Sequence, residues 1–196
     1  MYEPKTFAIP ALDGISQKSV DEHVGLYQGY VKNFNALTVL MDDLFKVSDD
    51  HTHELSEIIR RRAFAFDGMR LHELYFSQCE GEATQISTES PLAQALSGQF
   101  GSVDEAIRQV RIAGSMRGPG WSLLYYDASV SSFRVGFAGE QHQGHFVTLP
   151  VILALDVWEH AFLLDYGAQG KGKYVEAFFK NLNWSVVEKR FAALVA

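Results

Sequence analysis

Residues 19–45, SVDEHVGLYQGYVKNFNALTVLMDDLF, constrain the fold most: Val20, Val24, Tyr27, Val31 and Phe34 recur at spacings of three and four. That period gathers one apolar stripe on a helix, and a helix this long must bury its stripe against a partner. Ser19, with Glu22 three residues on, has the capping-box pattern and is the expected N-cap. A second helical stretch, HELSEIIRRRAFAFDGMRLHELYFSQC, follows the polar link KVSDDHTHE, with a break expected near Asp67-Gly68. A short polar link between two such stretches predicts an antiparallel helical hairpin.

The polar segment EGEATQISTESP interrupts the apolar period and marks the expected boundary, with a helical hairpin domain over 1–85 and an α+β domain over 86–196. In the second part PLAQALSGQFGSVDEAIRQVRIAGSM reads as helix with a glycine-rich interruption. GPGWSLLYYD, SSFRVGFAG and FVTLPVILAL read as three strands, expected to form a three-stranded antiparallel sheet. The stretch YVEAFFKNLNWSVVEKRFAALV returns to helix, so the fold class is α+β.

The 196 residues are 47% hydrophobic, enough for one sizeable core or two small layers sharing one. No apolar stretch reaches the roughly 18 residues of a membrane span, and MYEPKTFAIP has no signal-peptide pattern, so no membrane association is expected. A single cysteine, Cys79, excludes an internal disulfide framework and suits a reducing, cytoplasmic compartment. The formal charge of −7 argues against nucleic acid as a partner, and IIRRRAFAF reads as a solvated helix face beside a buried one. Such a chain attracts a small anion only through a local basic funnel.

Among the histidines, His51 and His53 fall in the polar link and read as solvated. His23 and His72 lie in apolar helical stretches, where a lone histidine is ordinarily a satisfied, half-buried one. His160 follows Asp156 by four residues, and a carboxylate orienting an imidazole would account for that pair. Taken together, three imidazoles and one carboxylate also make a mixed nitrogen and oxygen set suited to iron, manganese or zinc. The set lacks the thiolates of a structural zinc site and the oxygen shell of calcium. Both readings stand on the pattern alone, and the second would tie the helical half to the α+β half.

The sequence resembles the iron/manganese superoxide dismutases over nearly its whole length. LDGISQKSVDEH is similar to the family's first ligand helix, GYVKNFNAL to its Tyr-Val-x-Asn-x-Asn run, and MRLHELYF to its second ligand segment. GPGWSLL resembles its Gly-x-Gly-Trp strand. LDVWEHAFLLDY and YVEAFFKNLNWSVVEKRF match its closing signature and final helix. The resemblance implies one iron or manganese ion per subunit, held by His23, His72, Asp156 and His160. It implies superoxide as the substrate, dismuted to dioxygen and hydrogen peroxide, and a homodimer that can pair into a tetramer.

The same resemblance implies roles for the surrounding residues. Tyr30 stands at the mouth of the site, Trp121 and Trp158 form an aromatic wall, and Arg190 supplies the positive funnel. Gly68 replaces the glutamine that iron-type relatives carry, so the side chain tuning the metal comes from the turn GEQHQGHF. His142 is the best match there, with Gln141 and Gln143 as alternatives. Glu159 reaches across the two-fold to the partner's copy of His160.

Two departures from the family pattern carry expectations. His23 to Tyr30 spans seven residues where eight is usual, and one residue is about 100° of helix rotation. Ligand and tyrosine are therefore expected not to keep their usual facing together, on a helix regular from 22 to 31. Tyr27 and Leu163 replace a histidine and tyrosine that bond across the dimer, which predicts an apolar contact between Tyr27 and the partner's copy of Leu163. The altered spacing also favours a rival reading, a non-enzymatic metal-binding or structural relative. A zinc hydrolase is a third reading, and no His-Glu-x-x-His helix supports it.

Overall fold

The computed structural model describes residues 1–47 and 50–195. Helix α1 (Gln17–Leu44) and helix α2 (Thr52–Ser77) form the expected pair. Their partners run in opposite order: Thr38 with Arg62, Phe34 with Phe66, Tyr30 with Gly68, Tyr27 with Glu73, and His23 with Phe76. The pair is therefore antiparallel. Ser48 and Asp49, in the expected polar turn, lie outside the described residues.

Two local expectations are corrected. The N-cap of α1 is Ser16, whose hydroxyl accepts from Ser19 N at 3.1 Å, while Ser19 itself is buried one turn inside. The chain reverses at Gly14, where φ is +82°, and that turn leaves Ser16 extended and able to cap. Helix α2 does not break at Asp67-Gly68 but continues through both. Gly68 serves packing: the space a Cβ would take is filled by the Tyr30 ring, 2.7 Å from that position.

Helices α3 (Pro91–Phe100) and α4 (Val103–Gly114) follow, each started by a capping serine, Ser90 and Ser102. Three strands, β1 (Gly120–Asp127), β2 (Ser132–Gly139) and β3 (Val151–Asp156), make an antiparallel sheet in the order β2-β1-β3. Central strand β1 is buried almost throughout, and its register sets Trp121 opposite Asp156. The third strand is shorter than FVTLPVILAL suggests and starts after Pro150, which has no N–H to donate to a ladder. Phe146 to Leu149 form a loop, with Val147 84% exposed.

Helices α5 (Glu159–Tyr166), α6 (Lys171–Lys180) and α7 (Trp184–Val195) close the chain. The last helical stretch is split at 181–183, where Asn181 bonds Asp13 O and Ala177 O through its amide. The C-terminus of α2 is stapled to β3. Gln78 pairs with the backbone of Ala154, and Arg190 donates to Leu74 O at 2.7 Å and Ile152 O at 3.0 Å. This staple sets His72 on α2 against Asp156 at the end of β3. No helix among the described residues is long and apolar enough to cross a membrane.

Candidate metal centre

Four side chains from four elements converge. His23 comes from α1, His72 from α2, Asp156 from the end of β3 and His160 from the first turn of α5. His23 and His72 are buried because they fall on the apolar faces of the helical pair. Asp156 ends a strand buried from Ile152 onward. Asp156 Oδ1 accepts from Trp158 N at 2.8 Å, which turns Oδ2 toward the imidazoles. Oδ2 lies 3.1 Å from His23 Nε2, 3.1 Å from His160 Nε2 and 3.6 Å from His72 Nε2. All four donor atoms lie within 4.8 Å of one another.

The three separations from Asp156 Oδ2 fit one ion. Donor atoms at about 2.0–2.2 Å from a common centre lie about 2.8–3.1 Å apart at a right angle and about 3.5–3.8 Å apart at 120°. The tautomer of His72 points the same way. Its Nδ1 lies 2.6 Å from Gly68 O, a carbonyl that can only accept, so Nδ1 carries the proton and Nε2 keeps a lone pair. That Nε2 is buried with no hydrogen-bond partner among the described residues, and it faces a carboxylate oxygen. Two lone pairs facing each other in a dry interior call for a cation between them.

Charge agrees with geometry. Burial holds the His72 imidazole down at about 3, reinforced by the nearby His23, and burial likewise lowers His23. Burial by itself would raise the Asp156 carboxyl, but the His160 and His23 imidazoles hold it far below the usual carboxylate range. At neutral pH His72 and His23 offer neutral imidazole lone pairs beside the Asp156 carboxylate, and with His160 they make a donor set that suits a redox-active first-row metal.

The residues expected around the metal divide into those the structure brings in and those it does not. Trp121 Nε1 donates to Gln141 Oε1 at 2.8 Å, and Gln141 Nε2 donates to Tyr30 Oη at 2.9 Å. Because an indole can only donate, the Gln141 carboxamide has one orientation: oxygen toward Trp121, NH2 toward Tyr30. Burial raises the Tyr30 phenol to about 12, with the Asp156 charge adding to the effect. Tyr30 also lines a surface groove with Gly25, Gly29 and Asn33, so it stands between the cluster and solvent. Trp158 stacks on His160 with ring centroids 5.8 Å apart, and Trp121 meets the His72 ring edge at 5.0 Å.

The seven-residue interval between His23 and Tyr30 does not separate them. Helix α1 is regular across it, and seven residues are nearly two full turns, so both side chains share the face turned toward α2. Tyr30 accordingly lies over the His72 ring at 5.1 Å. The helix is regular from 22 to 31, as expected, and on it His23 and Tyr30 both reach His72.

Three expectations are corrected. Gln141, not His142 or Gln143, meets Tyr30 and Trp121: Gln143 is exposed, and His142 packs on Phe64 with its Nδ1 3.9 Å from Glu140. Arg190 does not face the cluster, because its guanidinium donates to Leu74 O, Ser77 Oγ, Ile152 O and Gln78 Oε1. Tyr27 cannot meet a partner subunit, since it is 0% exposed and its hydroxyl accepts from Lys5 N and donates to Glu73. The neighbouring Leu26, about 100° around the helix, is 44% exposed and shares a surface cavity with Glu159, His160, Leu163 and Leu164.

Two residues went unread in the sequence. Phe64 packs on Tyr30 at 5.8 Å, Trp158 at 6.4 Å and His142 at 5.6 Å, closing the aromatic wall. Arg61 carries its guanidinium 4.5 Å over the Phe64 ring. Both lie in IIRRRAFAF, which reads as a solvated helix face beside a buried one, and an aromatic following those arginines is the available signal.

Residues 88–190 match the family model described as iron/manganese superoxide dismutases, C-terminal domain. A protein of Saccharolobus solfataricus named superoxide dismutase [Fe] is 32% identical over 95% of this chain and 90% of its own length. One of the same name from Cupriavidus metallidurans is 32% identical over 100% of this chain and 98% of its own length. A protein of Haloferax volcanii named superoxide dismutase [Mn] 2 is 29% identical over 86% of this chain and 82% of its own.

Proposed function

The chain belongs to the iron/manganese superoxide dismutases, and from that membership we propose that it is an enzyme converting two superoxide radicals and two protons into dioxygen and hydrogen peroxide. The observation that carries the reading is the convergence of three imidazole Nε2 atoms on Asp156 Oδ2, with the His72 nitrogen left unpartnered. When bound, iron or manganese supplies one-electron chemistry, alternating between +3 and +2. His23, His72, Asp156 and His160 hold it, and the set ties residues 1–85 to residues 86–196.

The chain's own residues prepare the substrate's path. Tyr30 stays protonated at neutral pH, and because its oxygen accepts from Gln141, its own proton is directed elsewhere. It therefore holds a proton at the opening of the site, where peroxide formation needs one. Trp121, Trp158 and Phe64 keep bulk water from the cluster. Arg61 sits beside that wall and supplies the positive charge that steers an anion toward a chain of net charge −7.

The functional unit in this reading is a homodimer with two-fold symmetry. Glu159 is exposed and makes no ion pair among the described residues of its own chain, while Leu26, Leu163 and Leu164 surround it with apolar surface. An isologous contact there sets Glu159 against the partner's copy of His160.

Metal analysis of the purified protein, with a superoxide-consumption assay after loading iron or manganese, tests the proposal. Activity with at least one metal is expected. Full occupancy without activity under either metal favours a non-enzymatic relative that keeps the fold.

A further inference from the structure

The turn between β2 and β3 decides which of three successive polar residues enters the site, and the carboxamide it sends inward is held at two points. Trp121 on β1 fixes the Gln141 side-chain oxygen. The main-chain oxygen of Gln141 is held separately: His145 Nε2 lies 3.0 Å from it, and His145 Nδ1 lies 3.0 Å from Tyr125 Oη. A carbonyl only accepts, so Nε2 carries the proton, Nδ1 keeps its lone pair and the phenol donates to it. Trp121 and Tyr125 are four residues apart on one strand and share a face. One face of β1 thus grips Gln141 at both ends, directly through Trp121 and through His145 by way of Tyr125.

We propose that His145 is a positioning residue, setting the Gln141 carboxamide at hydrogen-bond distance from Tyr30. This rests on the superoxide dismutase reading and assigns how that site holds its polar partner. The backbone needs the help. Glu140 has φ +52° and Gly144 has φ +88°, and among the described residues the bonds that hold the turn (the Gly139–Gln143 pair, Glu140 N to Pro119 O and Trp158 Nε1 to Glu140 O) leave the Gln141 carbonyl to His145. Without the His145 bond, rotation of the Gln141 peptide would carry its side chain off Tyr30, and the sequence neighbours His142 and Gln143 point elsewhere.

A double-mutant cycle on the iron-loaded protein tests the assignment, read as the midpoint potential of the metal and as kcat/KM for superoxide. The variants are His145→Phe, which keeps the ring and loses both bonds, Gln141→Ala, and the two combined. His145→Phe is expected to move the potential in the direction of Gln141→Ala and to lower kcat/KM about 10-fold. In the Gln141→Ala background it should add nothing further. His145→Gln, which retains an N–H donor, should restore most of the loss. Should His145→Phe fail to fold, Tyr125→Phe removes only the far hydroxyl and is expected to move the potential in the same direction by less. Independent, additive shifts overturn the proposal, as does an unmoved potential in His145→Phe or in Gln141→Ala. The potentials can be measured on loaded protein that lacks activity, so failure of the enzymatic reading is seen separately in the unmutated protein.

Discussion

Tyr30 and Gly68 face each other across the helical pair so closely that a Cβ on Gly68 would lie 2.7 Å from the tyrosine ring. The glycine lets the phenol lie against the backbone of α2, next to His72, and reach Gln141. Gly68→Ala would gain about 1 kcal/mol of helix propensity but force the ring outward. The expected net result is a loss of up to about 2 kcal/mol in unfolding free energy, read by denaturant titration. Ultraviolet titration should also show the Tyr30 phenol falling from about 12 toward an ordinary value as it leaves its buried seat.

Metal removal should cost stability, because only the folded chain gathers donors from four elements. Metal at about 1,000 times its dissociation constant stabilises by about 4 kcal/mol. For a chain of this size that corresponds to a Tm rise of roughly 8–16 °C. His72→Ala should remove the response: its Tm, followed by circular dichroism, is expected to be the same with iron, with manganese and with chelator. A metal-dependent rise surviving in that variant would count against His72 as a ligand.

Glu73 is buried between Lys5, Arg70 and the Tyr27 hydroxyl. Burial pushes its carboxyl up, but the Lys5 and Arg70 bonds outweigh that, and the folded value lies below the ordinary one. A depressed carboxyl contributes stability that is present above its unfolded value, about 4.3, and is lost as pH falls through the folded value. Glu73→Gln should therefore destabilise by about 1–3 kcal/mol at pH 7. The gap from the parent should close as pH falls below the ordinary carboxylate value and through the lower folded one, as read by urea midpoints across pH.

Arg61 and Arg190 should separate rate from stability. Arg61→Gln is expected to lower kcat/KM severalfold at low salt, with the loss fading as ionic strength rises, and to leave Tm nearly unchanged. Arg190→Ala should instead unpair the carbonyls of Leu74 and Ile152, at about 1–3 kcal/mol for each that stays dry. Pulse-radiolysis rates and melting curves on the two variants decide whether the roles are assigned correctly.

Leu26 and Leu163 line one cavity beside Glu159 and His160. Leu163→Lys places a charge on that apolar surface and should shift the protein toward monomer in sedimentation experiments, with loss of activity in proportion. A dimer unaffected by both Leu163→Lys and Leu26→Lys would move the interface elsewhere.

The sequence by itself determines the framework, while the donor set follows from its resemblance to the family, the pattern alone leaving an orienting carboxylate equally open. Periodicity puts His23 and His72 on apolar helical faces, and Asp156 ends a buried strand with His160 one helical turn further on. Tertiary structure decides between near neighbours. Gln141 enters and His142 does not, Leu26 faces outward where Tyr27 is buried, and Arg61 rather than Arg190 stands by the aromatic wall. Adjacent residues on a helix differ by about 100°, and adjacent residues in a turn can point to opposite sides. A pattern with an uncertainty of one residue cannot select among them. The choice is made by partners distant in sequence: the Trp121 indole and the Tyr125–His145 pair for Gln141, Glu73 and Lys5 for Tyr27, and the carbonyls closing α2 and β3 for Arg190.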